Sequence, residues 1–184
     1  MPAWFPDVFW QRAGGLTPEQ RTELASYGSL LTKQKLLVRR LHESGVTLHI
    51  GTDVLNPYVV PGESLHEEMR EFLDCGFTLE ETWAAATRGN GAALPLPDLG
   101  VLKPGAPADL LVFREDPTTD LSKLESLEAV VANGRLYARD DLDAALARFR
   151  ERFESPVYAR TMTALVQRMP RPSTLEWPST KIRP

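Results

Sequence analysis

The stretch Val46-Thr47-Leu48-His49-Ile50-Gly51-Thr52-Asp53 constrains this chain more than any other. A short run of mainly β-branched and apolar residues ends in a glycine, a hydroxyl and a carboxylate. Helical patterning precedes it and closes at Gly45. A loop from Val54 to Gly62 follows, then more helical patterning. The order helix, short buried strand, acidic strand end, loop, helix is that of an α/β protein. Such proteins carry reactive groups at the C-terminal ends of their strands. Asp53 is therefore the candidate catalytic residue. The competing reading is an aspartate that caps the turn after a strand.

Charge and cysteine content narrow the class. The 184 residues hold 25 acidic and 21 basic side chains, with no basic cluster, which argues against nucleic acid as a partner. No apolar run reaches the length of a membrane span. The N-terminus, Met-Pro-Ala-Trp-Phe-Pro, lacks the charged start and apolar core of a signal peptide. Together with a single cysteine, Cys75, this points to a reducing, cytoplasmic setting. Cys75 falls near a helix C-terminus, where the dipole disfavours a thiolate, and reads as inert packing. The histidines are His42, His49 and His66 alone.

Periodicity and turn chemistry give the remaining elements. Trp4, Phe5, Phe9 and Trp10 form an aromatic N-terminal segment expected to pack on something. Thr17-Pro18-Glu19-Gln20 starts a short helix to about Tyr27. Leu30, Leu31, Gln34, Leu37, Val38 and Leu41 predict an apolar helix stripe, with Lys33, Lys35, Arg39 and Arg40 on a solvated face. Residues 46–50 predict a strand. Glu63 to Cys75 predicts a helix with Leu65, Met69, Phe72 and Leu73 inward and Gly76 as its stop. Thr78-Leu79-Glu80-Glu81 is a capping box for a helix through about Arg88, which Gly89-Asn90-Gly91 interrupts. That glycine-rich stretch does not follow a strand, so a phosphate loop is rejected. From Pro95 onward short β-runs alternate with turns: Gly100-Val101-Leu102, Leu110 to Phe113, and Ala129 to Ala132. Asn133-Gly134 is a two-residue hairpin signal leading to Arg135-Leu136-Tyr137. Asp109 belongs to this unit and reads as structural. Leu142, Leu146, Phe149 and Phe153 predict an amphipathic helix over 141–154 that packs on the domain. A weaker helix over 157–169 and a Pro-rich tail over 170–184 complete the chain.

Several of these runs, taken together, resemble a known family. They are Gly51-Thr52-Asp53, Gly62 to Met69, Ala85-Ala86-Thr87 through Asn90, Asp98 to Gly105, Ala108 to Val112, and Val130 to Arg135. In this order they resemble the C-terminal portion of metal-dependent hydrolases of the amidohydrolase superfamily, in the imidazolonepropionase-like and Xaa-Pro dipeptidase-like branch. The resemblance implies an α/β fold: the C-terminal part of a (β/α)8 TIM barrel, incomplete here, then part of a small β-sandwich and a C-terminal helix. Residues 1–94 would be the barrel segment with strand eight, 95–140 the β-sandwich segment, and 141–184 the helix and tail. It implies hydrolysis of C–N bonds of small amide-type substrates by water activated on one or two divalent metals, commonly zinc. The family's ligands are a His-X-His pair, a carboxylated lysine or glutamate, two further histidines and a strand-eight aspartate. Asp53 matches that aspartate, as metal ligand and proton acceptor. Metal-bound water ionises near pH 7, and a carboxylate can relay its proton to the leaving nitrogen.

The sequence contains no His-X-His, and a TIM barrel takes about 250 residues. The expectation is that this chain alone holds no catalytic metal and is inactive in isolation. It would be a truncated enzyme, one half of a split enzyme needing an N-terminal barrel half, or a non-catalytic remnant serving as an interaction module. A homo-oligomer is a further possibility for its partner. His66, at the start of the helix after strand eight, and Asn56 and Tyr58, in the loop before it, are the candidate substrate contacts. For each, ordinary helix-start or loop polarity competes. His49 shares strand parity with Asp53 but sits roughly 13 Å below it at about 3.3 Å per residue, which makes it a core histidine rather than a ligand. His42 is expected on the helix surface.

Overall fold

The structure, a computed structural model, describes residues 18–54, 59–94 and 98–168. The N-terminal aromatics, the Thr17 cap, Asn56, Tyr58 and the tail beyond 168 lie outside the described residues. The elements are α1 (Pro18–Glu43), α2 (Glu63–Asp74), α3 (Leu79–Ala86), α4 (Arg88–Ala93), β1 (Leu110–Phe113), a 3-10 helix (Leu121–Ser126), β2 (Leu127–Ala132), β3 (Arg135–Ala138), α5 (Arg139–Glu154) and α6 (Pro156–Arg168).

Local rules explain the centre. Met69 and Phe72 lie three apart on α2 and both are buried, Met69 at 2% exposure. Leu73 is partly buried against the same core, whereas Leu65 is exposed. Gly76, at φ +98°, ends the helix. Its N–H donates to Leu73 O (2.9 Å) and the Phe77 N–H donates to Phe72 O (3.2 Å). This is a Schellman motif, and the accompanying apolar contact is Phe72 against Phe77, with ring centroids 4.6 Å apart. Thr78 then caps α3 as expected. The Glu81 N–H donates to Thr78 Oγ1 (3.2 Å), and Glu81 Oε2 accepts from the Thr78 N–H (2.8 Å) and hydroxyl (2.8 Å). These bonds hold the Glu81 carboxyl below its ordinary value.

The core joins Ile50, Met69, Phe72, Cys75, Phe77 and Ala85 to Leu121 and Leu124 of the 3-10 helix. Trp83 Nε1–H of α3 donates to Pro117 O (3.1 Å), a second tie to the β1–β2 connection. The sheet is antiparallel in the order β1-β2-β3, with Leu111 opposite Val130 and Val130 opposite Tyr137. Asn133 and Gly134 make the β2–β3 turn, both at positive φ, as a primed two-residue turn requires. Asp109 is structural: its Oδ1 accepts from the Asn133 N–H (2.6 Å) and so ties this turn to the entrance of β1. α5 packs on β2 and β3. Of its stripe, Leu142 and Phe153 are half-buried while Leu146 and Phe149 remain exposed. Phe153 stacks on Phe149 (4.1 Å) and meets Tyr158 of α6 edge-on (4.6 Å).

Five expectations are corrected. First, the two N-terminal helices are one helix, α1. Second, its apolar stripe is largely uncovered: Leu30, Leu31 and Leu37 are exposed, Leu37 at 57%. Val38 and His42 reach the core, and the cationic side adds the polar part of the docking. Arg39 donates to the α2 C-terminal carbonyls Asp74 O (2.8 Å) and Cys75 O (3.1 Å), and Lys35 pairs with Glu71 and Asp74. Carbonyls left without partners at a helix end attract cations, and long basic side chains reach them where a Leu cannot. Third, residues 46–50, expected as a strand, form none, because no neighbouring strand among the described residues pairs with them. Fourth, residues 89–91 do not interrupt a helix. They lie within α4, and a Cβ on Gly91 would fall 1.9 Å from Leu99 O. Fifth, Gly100-Val101-Leu102 forms no strand, and Leu102 is 84% exposed.

Two outcomes follow for stability. Gly91→Ala drives a methyl into backbone that cannot rotate away, so it should cost about 1–3 kcal/mol or more, read as a lowered midpoint in urea. An unchanged midpoint would mean that the 98–100 loop does not approach α4. The Glu81 carboxyl is lowered on folding, so its contribution is present above the ordinary carboxyl value near 4.5 and is lost as pH falls through its folded value. The stability difference between wild type and Glu81→Gln should therefore be largest near neutrality and shrink below about pH 4. A difference constant from pH 7 to pH 3 contradicts this account.

Candidate functional site

The candidate site is built on the chain between Ile50 and Asp53. Ile50 is 4% exposed. Its N–H donates to Ala85 O of α3 (3.4 Å), and its carbonyl accepts from Asn90 Nδ2 of α4 (2.8 Å). The next donor, Gly51 N–H, goes to Glu68 Oε1 of α2 (3.0 Å). Three consecutive backbone groups are thus held by three helices. Two residues later Asp53 stands at φ +48°, a left-handed conformation that aspartate tolerates better than most residues. Its side chain is exposed.

Beside this segment lies an open groove of about 410 Å³. Gly51 and Thr52 line it from this segment, Val59 from the loop, and Ser64, Glu67, Glu68 and Glu71 from α2. The spacing of those four puts them on one face of α2, turned away from Met69. Ser64 Oγ accepts from the Val60 N–H (2.9 Å) and secures the loop at the rim. Glu71 is turned toward Lys35, and Glu68 toward Gly51.

The residues expected from sequence separate here. Asp53 lies at the end of a segment that is not a strand here, and neither it nor His66 lines the groove. His66 is half-buried in the first turn of α2, and its backbone N–H donates to Gly62 O (3.3 Å). Asn56 and Tyr58 lie outside the described residues. His49 is corrected: it is exposed rather than a core histidine, its ring lying toward Gly89 of α4 and outside the core cluster. His42 sits partly against the core, its ring stacked on Phe77 at 3.8 Å with Nε2 3.6 Å from Glu81 Oε1. Glu68 and Asn90 were not singled out by sequence reasoning. The Gly-Asn-Gly pattern was a usable signal for Asn90, since a polar side chain between small residues suits a close backbone approach. Glu68 carried no such mark among the five acidic residues of α2.

The sequence matches the amidohydrolase family model over residues 17–137. The chain belongs to the amidohydrolase family. It is 43% identical over 77 residues to an imidazolonepropionase of Cutibacterium acnes, a match covering 40% of this chain and 18% of that protein. Its fold is similar to that of a Xaa-Pro dipeptidase with methionine bound in the active site. That likeness has a TM-score of 0.56 and 26% identity, and covers 74% of this chain and 33% of the other. A protein from Bifidobacterium longum, named provisionally as a prolidase, gives 0.56 and 30%, covering 75% and 35%. The chain thus spans about a fifth to a third of the length of these relatives.

The family generally uses a divalent metal. Among the described residues no group of three or more His, Cys, Asp or Glu is gathered so as to hold one. Asp53, His66 and the groove glutamates therefore do not fit a metal centre by themselves. No helix among the described residues is long and apolar enough to cross a membrane.

Cys75 has no place in the chemistry. It is buried at the C-terminus of α2, and burial pushes its thiol up from its ordinary value. Its reaction with a disulfide reagent at pH 8 should be at least about tenfold slower in the native chain than in denaturant. Equal rates would show that this helix end opens freely.

Proposed function

We propose that residues 18–138 are the C-terminal part of an amidohydrolase that cleaves C–N bonds, amide or cyclic amide, in small molecules. The match to the amidohydrolase family over residues 17–137, ending its extended segment in Gly51-Thr52-Asp53, carries this reading. In it, Asp53 closes the last strand of a TIM barrel and takes the proton from the attacking water. It then returns that proton to the leaving nitrogen, a role suited to an exposed carboxylate on a firmly held backbone. His66, Asn56 and Tyr58 would contact substrate from the loop and helix that follow. Residues 95–140 would be the β-sandwich segment, and 141–184 the appended helix and tail. The setting would be cytoplasmic.

A divalent metal, zinc in this reading, would depend on ligands from further barrel polypeptide, joined to these residues or assembled with them. Two observations favour that arrangement over a self-sufficient hydrolase. The chain covers about a third of its solved relatives. The Leu31 and Leu37 face of α1 and the edge at Val46 are also exposed apolar surface. A non-catalytic remnant or interaction module is the alternative, which the lack of a gathered ligand group among the described residues favours.

The test has two arms. Zinc measured by mass spectrometry on the purified chain should be well below one per chain, with no turnover of dipeptide or cyclic amides. Combined with the N-terminal barrel portion of a relative, it should regain hydrolysis, and Asp53→Asn should lower kcat by roughly 10²–10⁴-fold. Tight stoichiometric zinc in the chain alone, or an active assembly indifferent to Asp53→Asn, would sink the reading.

A further inference from the structure

The segment that bears Asp53 is held by side chains that the family reading does not name. In a closed sheet the backbone of a strand is fixed by its neighbours. Here the Ile50 N–H, the Ile50 carbonyl and the Gly51 N–H go instead to Ala85 O, Asn90 Nδ2 and Glu68 Oε1. Two of the three partners are side chains, and they come from different helices, α2 and α4.

Glu68 is committed to this bond. Its Oε1 accepts from Gly51, while its Oε2 is shielded from solvent and has no hydrogen-bond partner among the described residues. A carboxylate oxygen withdrawn from water without a partner is unfavourable. The placement persists only if something else holds the side chain there, and the bond to Gly51 is the interaction the structure offers. Glu67, one residue earlier, has no such bond, although both line the groove.

We infer that Glu68 is the positioning residue for Asp53, acting through the Gly51 amide, with Asn90 as its counterpart on the Ile50 carbonyl. This rests on the reading of Asp53 as the reactive carboxylate. The lever is short: Gly51 is two residues from Asp53, and glycine resists displacement least of all residues. A shift of about 1 Å at Gly51 is passed on to the carboxylate, and misplacement on that scale can cost about 10²-fold in rate. What Glu68 supplies is an acceptor, so glutamine can replace it and alanine cannot.

The experiment is amide hydrogen exchange on the whole chain, resolved to single residues by electron-transfer fragmentation, paired with carbodiimide labelling of Asp53. In Glu68→Ala the Gly51 amide should exchange roughly ten- to a hundredfold faster, while β2 and β3 amides keep their wild-type rates. The Asp53 labelling rate should shift several-fold in the same variant. Glu68→Gln should return both to near wild type, a rescue that mere packing of the α2 face would not show in the Gly51 amide. Asn90→Ala should also accelerate the Gly51 amide, and it tests the idea if Glu68→Ala does not fold. Wild-type Gly51 exchange in Glu68→Ala, or no rescue by glutamine, overturns the inference. Neither readout needs turnover, so the loss caused by Asp53→Asn stands or falls separately.

Discussion

The burial of Ile50 is what gives the candidate site a defined geometry, because it commits side chain and backbone together. The side chain enters the cluster closed by α2, α3 and the 3-10 helix, while the N–H and C=O of the same residue go to Ala85 and Asn90. Slipping this segment by one residue would place His49 or Gly51 in the core and unpair two buried backbone groups at once. With the register at 50 settled, Gly51 meets Glu68, Thr52 reaches the groove, and Asp53 leaves toward solvent.

That core does not end with the helices of residues 18–94. Leu121 and Leu124 lie in the connection between β1 and β2, yet they belong to the same cluster as Met69 and Phe72. Trp83 reinforces the junction through Pro117 O. Residues 18–94 and the small sheet are thus coupled by shared burial, and the connection, rather than the strands themselves, supplies the contact. The strands contribute their own order through the Asn133-Gly134 turn and Asp109, which need nothing from the core.

Features written in a few adjacent residues were legible in the sequence. The Thr78 capping box, the Gly76 stop and the Asn133-Gly134 hairpin each follow from side-chain chemistry within four residues, and the structure has all three. Features that depend on what faces an element were not. The α1 leucines give an apolar stripe at helical spacing, which says nothing of what covers it. The polar part of the docking of α1 uses Arg39 and Lys35, whose role depends on the α2 terminus more than thirty residues away. The α4 glycines looked like an interruption, yet Gly91 is small because the Leu99 backbone lies against it. In the site, Asp53 was visible from its motif, whereas Glu68 and Asn90 show their value only as long-range partners of Gly51 and Ile50.

The 46–53 segment shows why a strand pattern and a strand can part company. Leu48 and Ile50 turn toward the core while Thr47 and His49 are exposed, so the alternation of an extended chain survives. What is missing is the ladder, since pairing needs a neighbour and alternation needs only one apolar face. The inner side of the segment, with Leu48 and Ile50, is satisfied by helices of this chain, while Val46, Thr47 and Val54 stay largely exposed and His49 comes near Gly89 of α4 without being buried there. A segment bound on one side alone would slide or fray unless its polar groups were clamped. The clamps fall on Ile50 and Gly51, immediately before the carboxylate, where a disturbance would reach Asp53 soonest. The fold thus keeps the least freedom at the point where the proposed chemistry tolerates the least.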